Sequence, residues 1–250
     1  MFQGEQIDRR ITSRPFLRAL TRITPRGGVI YFNLFQERRT QQSVNRIARV
    51  LRVTDQIVWG RSPVRLDLAG DPTDWQIPPA TAAVCIFAAV ARLAACANDP
   101  AGSAHINVTR TLALIDRLTA AGAYVVHLST NQVFDGQTPH MPADAPTCPV
   151  SEYGRQKARA EAGIRERIAS GAPLAVLRLA KVLSPQTVLL RQWVESLGKG
   201  GVITPFHDMT MAPAPVDLVI RAIEGLMAER ATGVFQLTGP RDVSYADVGD

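Results

Sequence analysis

Short apolar runs alternate with amphipathic stretches along the chain from about residue 64 onward. Unbroken apolar runs are typical of strands covered on both faces, and apolar residues at helical spacing are typical of helices. This pattern predicts strands over residues 64–68, 82–88, 124–128, 174–179, 202–203 and 234–237. It predicts helices over residues 107–121, 151–170 and 216–228. Strands and helices that alternate in this way predict an α/β fold built on a doubly wound parallel sheet.

The alternation is interrupted by a loop and is weaker at the two ends of the chain. Four prolines within residues 134–149 predict the loop, because proline interrupts both helices and sheets. Before residue 64 there is a candidate strand over residues 29–35 and a candidate helix over residues 43–53. The chain stops at Asp250, where a further helix begins, and we expect a truncated C-terminus.

Positive charge is concentrated in the first quarter of the chain. Residues 1–61 contain 12 arginines, no lysine and four acidic residues, a net charge of +8, whereas residues 62–250 carry −2. A basic N-terminal arm can bind a polyanion. No aromatic RNA-binding module, zinc finger or helix-turn-helix pattern accompanies it, however, so we expect no nucleic-acid partner.

Length and composition indicate an ordinary globular protein. A chain of 250 residues with 46% hydrophobic residues is long enough for one large α/β domain. Cys85, Cys96 and Cys148 match neither a disulfide framework nor a metal-binding C-x-x-C motif, so we expect a reducing, cytoplasmic setting and no metal. The N-terminus is charged where a signal peptide is apolar, and Arg92 interrupts the most apolar stretch, so we expect no membrane span.

Three polar residues indicate chemistry at one edge of the sheet. Thr130 follows a predicted strand, while Tyr153 and Lys157 lie four residues apart at the start of a predicted helix. Residues i and i+4 share a helix face, so the phenol and the ammonium can point into one cleft. A nearby ammonium favours the phenolate, and we expect it to lower the pKa of Tyr153 from about 10. Such a tyrosine can protonate a developing alkoxide while the Thr130 hydroxyl binds the same oxygen, as carbonyl reduction requires.

The Tyr–Lys spacing alone is a weak signal, because these residues often fall four apart on an exposed helix. A hydroxyl residue lies at a strand end upstream, and β-α units lie on both sides. This context favours a catalytic site over an exposed helix with no catalytic role.

The stretches around these residues resemble a known family. Residues 128–136 read LSTNQVFDG, and residues 152–158 read EYGRQKA. Both are similar to motifs of the extended short-chain dehydrogenase/reductases and, within them, of the dTDP-4-dehydrorhamnose reductases, also labelled sugar-nucleotide-binding proteins. The resemblance covers residues 64–250. It implies a Rossmann-like domain with a small C-terminal substrate-binding lobe, whose substrate-binding parts lie at about 134–150 and 184–215.

The resemblance also implies roles for individual residues. Tyr153 would be the proton donor, Lys157 its activator and Thr130 the hydroxyl helper, with hydride supplied by NADPH or NADH. Cofactor contacts are implied for Asp67, Leu68, Ala88, Ala89, Asn107, Ser129 and Lys157. Contacts with a nucleotide-sugar substrate are implied for Asn131, Gln132 and Asp208. Structural alternatives stay open, because Asp67 can cap a turn, Ala88 and Ala89 can be core residues, and Asn107 can begin a helix.

The chain departs from the family pattern in two respects. Asn131 and Gln132 replace an Asp-Tyr pair, and two methionines fall within residues 207–213 where the family has polar residues, so the sugar specificity is open. No G-x-G-x-x-G or G-x-x-G-x-x-G motif occurs in residues 1–63, although a Rossmann enzyme binds the pyrophosphate with such a turn. We therefore interpret residues 1–63 as an atypical Arg-rich segment in place of the usual first β-α unit.

Together with the Thr-Tyr-Lys set, the resemblance implies an NAD(P)H-dependent oxidoreductase that reduces a 4-keto-6-deoxy nucleotide sugar. Two alternatives stay open: an epimerase or dehydratase of the same superfamily, and a non-catalytic or regulatory sugar-nucleotide-binding protein that has lost dinucleotide binding. The missing glycine motif favours the second alternative, whereas the Thr-Tyr-Lys set favours the enzyme. A homodimer is compatible with either.

Overall fold

The computed structural model describes residues 29–31, 68, 71–75, 77, 81–183 and 187–249. Its strands, in chain order, are β1 (Val29–Tyr31), β2 (Ala83–Ile86), β3 (Tyr124–Thr130), β4 (Leu174–Leu179), β5 (Val182–Leu183), β6 (Thr210–Met211), β7 (Ala214–Pro215), β8 (Gly233–Leu237) and β9 (Val243–Ser244). A parallel sheet in the order β1-β2-β3-β4-β8 forms the centre. Two small sheets, β5-β7 and β6-β9, lie outside it. The carboxyl ends of the five parallel strands therefore share one edge, which is where open α/β sheets bind ligands.

Helices connect these strands. They are α1 (Leu93–Asn98), α2 (Pro100–Ala104), α3 (Thr111–Ala120), α4 (Glu152–Ala169), α5 (Val188–Gly198), α6 (Val216–Glu229) and α7 (Tyr245–Gly249). A π-helical turn, His105–Arg110, joins α2 to α3, and Asn131–Val133 form a 3₁₀ turn directly after β3. The ends of these helices follow local signals: the Ser151 hydroxyl accepts a hydrogen bond from Gly154 N at the start of α4, and α6 ends at Arg230 in the left-handed conformation.

The sheet is covered on both faces, as the unbroken apolar strands predict. On one face Val84, Ile86, Val125 and Val176 pack against α3 and α4, in a core that includes Leu114, Leu118 and Ile164. On the other face Cys85, Val126 and Leu177 pack against Val219, Ile223 and Met227 of α6. Successive strand residues thus point to opposite faces, and helices on both sides complete a Rossmann-like α/β architecture.

Most of the predicted elements are confirmed. The strands predicted over 82–88, 124–128, 174–179 and 234–237 correspond to β2, β3, β4 and β8, and the helices over 151–170 and 216–228 to α4 and α6. The loop over residues 134–149 is also present. The helix predicted to start at residue 107 begins earlier, because Asp99 caps the Pro100–Ala104 segment and Pro100 occupies its first turn.

One predicted strand is wrong. Residues 202–203 lie in an irregular loop between α5 and β6, and Val202 is 87% exposed. Two apolar residues next to Pro205 resemble a strand end in the sequence, but they have no strand partner here. Of the strand predicted over 64–68, only Leu68 is described, and it lies in a turn. The helix predicted over 43–53, most of the strand predicted over 29–35 and Asp67 lie outside the described residues.

Candidate functional site

The turn after β3 lies directly against the start of α4. Gln132 in that turn accepts a hydrogen bond from the Ser151 hydroxyl at 3.3 Å. Gly154 lies so close to the Gln132 carbonyl that an added Cβ would be 2.2 Å from its oxygen. The close approach requires glycine at position 154, and it brings the strand end with Thr130 together with the helix face that carries Tyr153.

Lys157 points back from α4 onto β3. Its side chain is 2% exposed, and its Nζ lies 2.6 Å from the Leu128 carbonyl oxygen and 2.8 Å from His127 Nε2. Burial disfavours the ammonium and lowers the pKa of Lys157 to about 8, while the Glu161 carboxylate one turn away acts in the opposite direction. The Lys157 ammonium therefore loses its proton near pH 8 rather than near 10.5.

Tyr153 shares the face of α4 with Lys157 and is half-buried. Its hydroxyl has no hydrogen-bond partner among the described residues. Burial raises the pKa of Tyr153 to about 12, with a smaller contribution from the nearby Cys96 thiol. The expected lowering of this pKa is therefore wrong, because desolvation raises it and the Lys157 ammonium is engaged by β3. Tyr153 keeps its proton at neutral pH.

Thr130 ends β3 and caps the 3₁₀ turn. Its hydroxyl oxygen accepts a hydrogen bond from Gln132 N at 3.2 Å, and the hydroxyl lies 3.5 Å from Asn131 Oδ1. The oxygen is thus held by the backbone while its proton has only a long contact. A second polar atom in the cleft can compete for that proton.

Asn107 connects the end of β2 to α4. Its side-chain oxygen accepts a hydrogen bond from Val90 N at 2.7 Å, and its amide donates to Val90 O and to Gln156 Oε1. Asn107 is fully buried in the π-helical turn, so the alternative that it begins a helix is wrong. Irregular turns of this kind often occur at functional sites. Here the turn aims the amide at the segment that follows Ala88 and Ala89.

A buried ion pair lies beneath these residues. Arg178 of β4 and Glu161 of α4 are each 1% exposed, and Arg178 Nη2 lies 2.7 Å from Glu161 Oε2. The same carboxylate accepts a 2.5 Å hydrogen bond from the Ser129 hydroxyl. Ser129 thus uses its hydroxyl inside the core, which leaves only its backbone for a ligand.

The Arg178 side chain also holds the loop over residues 134–149. Its Nη1 donates to the Ala143 carbonyl at 3.2 Å, and its guanidinium lies 4.9 Å from the centre of the Phe134 ring. Gln236 of β8 accepts a hydrogen bond from Arg178 and donates one to the Met141 carbonyl. The buried pair therefore joins the sheet, α4 and this loop.

The remaining predicted residues are dispersed. Ala88 is buried and Ala89 half-buried directly after β2, at the ligand-binding edge of the sheet. Leu68 packs in the core on the α3 side. Asn131 is exposed beside Thr130, whereas Asp208 lies exposed in the loop before β6 and has no hydrogen bond to the other site residues in the described ranges.

A match to a family model decides the family. The model described as the RmlD substrate binding domain matches residues 77–250, which is more than half of the chain. The chain belongs to this RmlD family. Thr130, Tyr153, Lys157 and the polar residues that support them all lie within the RmlD domain.

Two curated relatives of this RmlD domain are reductases. The chain is 31% identical over 133 residues to a probable low-salt glycan biosynthesis reductase of Haloferax volcanii, covering 50% of this chain and 43% of that protein. It is 30% identical over 155 residues to a dTDP-4-dehydrorhamnose reductase of Burkholderia thailandensis, covering 59% of this chain and 51% of that protein. The chain spans about half the length of these relatives.

Solved structures share the fold. RMD from Pseudomonas aeruginosa complexed with NADPH aligns with a TM-score of 0.63 at 20% identity over 75% of this chain and 70% of that chain. WbmG from Bordetella bronchiseptica in complex with NAD and UDP aligns with a TM-score of 0.58 at 25% identity over 67% of this chain and 54% of that chain. Both likenesses agree with a Rossmann-like fold for the RmlD domain.

The buried polar residues that sequence reasoning missed include His127, Gln156 and Glu161, which each contact a predicted site residue, and Arg178, which pairs with Glu161. Two signals could have identified three of them. His127 and Arg178 interrupt otherwise apolar strands, and Glu161 follows Lys157 at i+4 on a helix face. Gln156 has no such signal, because its partners Ser103 and Asn107 are distant in the chain.

No helix in the described ranges has both the length and the apolar character to cross a membrane. Among those same residues, no group of three His, Cys, Asp or Glu side chains is arranged to hold a metal ion.

Proposed function

We propose that the protein is an NAD(P)H-dependent reductase of a 4-keto-6-deoxy nucleotide sugar. The observation that carries the proposal is the convergence of Thr130, Tyr153 and Lys157 where β3 meets α4, within an RmlD-family chain. The Burkholderia relative is a dTDP-4-dehydrorhamnose reductase, which supports this substrate class. Neighbouring structures in complex with NADPH, or with NAD and UDP, support the cofactor and the nucleotide part of the substrate.

The described residues fit a nicotinamide cofactor at the carboxyl edge of the sheet. Ala88 and Ala89 follow β2 there, and their small side chains let a ligand approach the backbone closely. Val90 follows Ala89, and the Asn107 side chain accepts a hydrogen bond from the Val90 N–H and donates one to the Val90 carbonyl. Lys157 would contact the ribose hydroxyls with the donor that β3 leaves unused. The bound cofactor supplies the hydride that reduces the carbonyl carbon.

The chain's own residues supply the proton. Tyr153 is protonated at neutral pH, as a donor must be, and it gives its proton to the substrate oxygen as negative charge develops there. The Lys157 ammonium, one turn along α4, stabilises the resulting tyrosinate. Thr130 turns its loosely held proton from Asn131 towards the same substrate oxygen. Asn131 is exposed and Gln132 is half-buried beside Thr130. Both residues contact the sugar.

Replacement of the Tyr153 hydroxyl tests the proposal. We expect Tyr153→Phe to lower turnover of dTDP-4-dehydrorhamnose by about 10²- to 10⁴-fold, the usual contribution of a general acid. NADPH affinity should change little, since the phenol acts on the substrate oxygen. The measurement is NADPH oxidation followed by absorbance, with affinity from fluorescence titration.

Tyr124→Phe is the matched control. The Tyr124 hydroxyl donates to the Ala231 carbonyl at 2.6 Å, at the opposite end of β3 from the site. Its loss should cost some stability and leave turnover unchanged. Equal turnover of Tyr153→Phe and wild type would remove Tyr153 as the proton donor. Conversion of the substrate without net NADPH consumption would instead indicate an epimerase or dehydratase.

A second function is favoured by one observation, the absence of a glycine-rich phosphate motif in residues 1–63. Without such a turn, the chain would bind sugar nucleotides but not a dinucleotide, and it would act as a non-catalytic or regulatory protein. The two functions differ in NADPH binding. An increase in melting temperature with millimolar NADPH supports the reductase. An increase with dTDP or UDP, together with no increase with NADPH, supports the second function.

A further inference from the structure

His127 is a polar residue in an apolar strand. It belongs to β3, pairs in register with Ile86 and Val176 on the neighbouring strands, and is 1% exposed. Its Nδ1 is buried without a hydrogen-bond partner among the described residues. An unsatisfied buried polar atom destabilises the fold, and an aliphatic side chain of similar size at this position would avoid that cost. The compensating contact of the ring is at the other nitrogen, where Nε2 meets Lys157 Nζ at 2.8 Å.

The hydrogen atoms of this contact can be assigned by counting donors. An ammonium has three N–H donors and no acceptor. The Leu128 carbonyl takes one of the Lys157 donors and His127 Nε2 is in place for a second, so one is left for the cleft. Nε2 can accept only when the imidazole is neutral and carries its proton on Nδ1.

The surrounding charges favour this assignment. The pKa of His127 lies well below its usual value, because burial and the Lys157 charge both disfavour an imidazolium. On α4 itself, Glu161 faces Lys157, but its carboxylate is engaged by Arg178 and by Ser129. Among the described residues, two further titratable groups on this side of α4 are Tyr153, one turn before Lys157, and Cys96 of α1, whose thiol acts on Tyr153. His127 is therefore the neutral acceptor next to the ammonium.

We propose that His127 is a positioning residue for Lys157: its neutral imidazole accepts a hydrogen bond through Nε2 and holds the ammonium in its charged form, with one N–H free for the cleft. This inference rests on the proposed function, because it assigns a purpose to Lys157 in the reductase site. His127 thereby adds a residue of β3 to the site residues Tyr153 and Lys157 of α4.

The pH dependence of turnover tests the role. Lys157 acts as a cation in the proposed reaction, and the pH dependence of kcat/KM reports the pKa values of the free enzyme. The wild-type kcat/KM should therefore fall as pH rises through about 8. His127→Leu removes the acceptor, and the alkaline limb of the kcat/KM profile should shift to a pH about one unit lower. The loss would then be roughly tenfold at pH 9 and small at pH 6. His127→Gln offers an amide oxygen near the position of Nε2 and should restore the limb.

A purely structural role would lower kcat/KM equally at all pH values in His127→Leu. That outcome, or a Gln variant no better than the Leu variant, overturns the inference. Because Leu also removes the unsatisfied Nδ1, we expect His127→Leu to fold, and a melting curve checks this.

Nuclear magnetic resonance of ¹⁵N-labelled histidine tests the same inference without substrate or cofactor. The chain has four histidines, and the His127 signals are those that disappear in His127→Gln. We expect a neutral ring protonated on Nδ1 that does not titrate between about pH 6 and 8. A ring protonated on Nε2, or a charged ring, would contradict the assignment. If the wild type neither binds NADPH nor reduces the keto-sugar nucleotide while these spectra agree, then the proposed function fails and the His127–Lys157 contact stands.

Discussion

Lys157 is a cation held where burial disfavours charge. The Leu128 carbonyl and His127 compensate part of the lost hydration, and Glu161 provides the opposite charge at a distance. The remaining penalty lowers the pKa of Lys157 from 10.5 to about 8. A lysine poised in this range can take part in proton transfer, whereas a fully hydrated lysine stays charged throughout the neutral range.

The same shift predicts how stability depends on pH. Between about pH 8 and 10.5 the unfolded chain binds the Lys157 proton and the folded chain does not, so the contribution of Lys157 to the free energy of unfolding rises with pH. Lys157→Met removes this dependence. We expect the free energy of unfolding of the wild type, minus that of Lys157→Met, to increase from pH 8 to pH 10 in urea titrations.

Lys199→Met is the control for this experiment. Lys199 is 73% exposed and pairs with Glu195 on the surface, so its difference from the wild type should be nearly constant over the same range. A constant difference for Lys157→Met as well would show that Lys157 is hydrated in solution.

Side chains of this kind are only partly predictable from sequence. The i, i+4 spacing of Tyr153 and Lys157 correctly indicates a shared helix face, because helical periodicity is local. The expected shift in the pKa of Tyr153 has the wrong direction, since this pKa depends on burial in the fold rather than on the nearest charge in the sequence. Ser129 likewise faces Glu161 in the core, a contact between residues 32 positions apart.

At the scale of elements, the start of α4 and the turn after β3 form one unit. The Ser151 hydroxyl both caps α4 and contacts Gln132, and Gly154 allows the close approach to the Gln132 carbonyl. Local signals of this kind made α4 predictable within one residue at each end, from Ser151 to Ser170. The strand wrongly predicted at 202–203 lacks such signals, because two apolar residues do not specify a pairing partner.

Two helical glycines allow a matched test of this unit. A Cβ at Gly154 would collide with the Gln132 carbonyl, whereas a Cβ at Gly225 in α6 would meet nothing within 4 Å. Gly154→Ala should therefore destabilise the protein and lower turnover, because the strand end and α4 must move apart. Gly225→Ala should stabilise it by about 0.5–1 kcal/mol through helix propensity. Urea denaturation of both variants is the measurement, and equal stabilisation by both would contradict the close approach.

At the scale of the whole molecule, the Arg178–Glu161 pair joins the central sheet to the loop over residues 134–149. Arg178 binds the Ala143 carbonyl and Gln236 binds the Met141 carbonyl, so two strands hold the loop from below. These contacts cross 35 and 95 positions of the chain, and no sequence pattern indicates them. The sequence therefore predicts that the loop exists but not where it lies.

Removal of one charge from this pair should have a large effect. Glu161→Gln leaves the Arg178 guanidinium buried beside a neutral group, and we expect a destabilisation of about 3–5 kcal/mol. Amide hydrogen exchange should also accelerate in the loop over residues 134–149. Glu195→Gln, which breaks the exposed Glu195–Lys199 pair, should cost less than about 1 kcal/mol. Similar small effects of both substitutions would mean that the Arg178–Glu161 pair is not buried in solution.

The stripe formed by Tyr153, Lys157 and Glu161 along α4 has a consequence for how charge moves in the proposed reaction. The three residues recur every four positions, so a phenol, a cation and an anion follow one another over about 12 Å of helix. When Tyr153 gives up its proton, the new negative charge appears one turn from the Lys157 cation, which is buried. The dipoles that receive the charge are fixed in advance. The reorganisation energy of the proton transfer is consequently low, because folding has already oriented the groups that solvent would otherwise have to orient at each turnover.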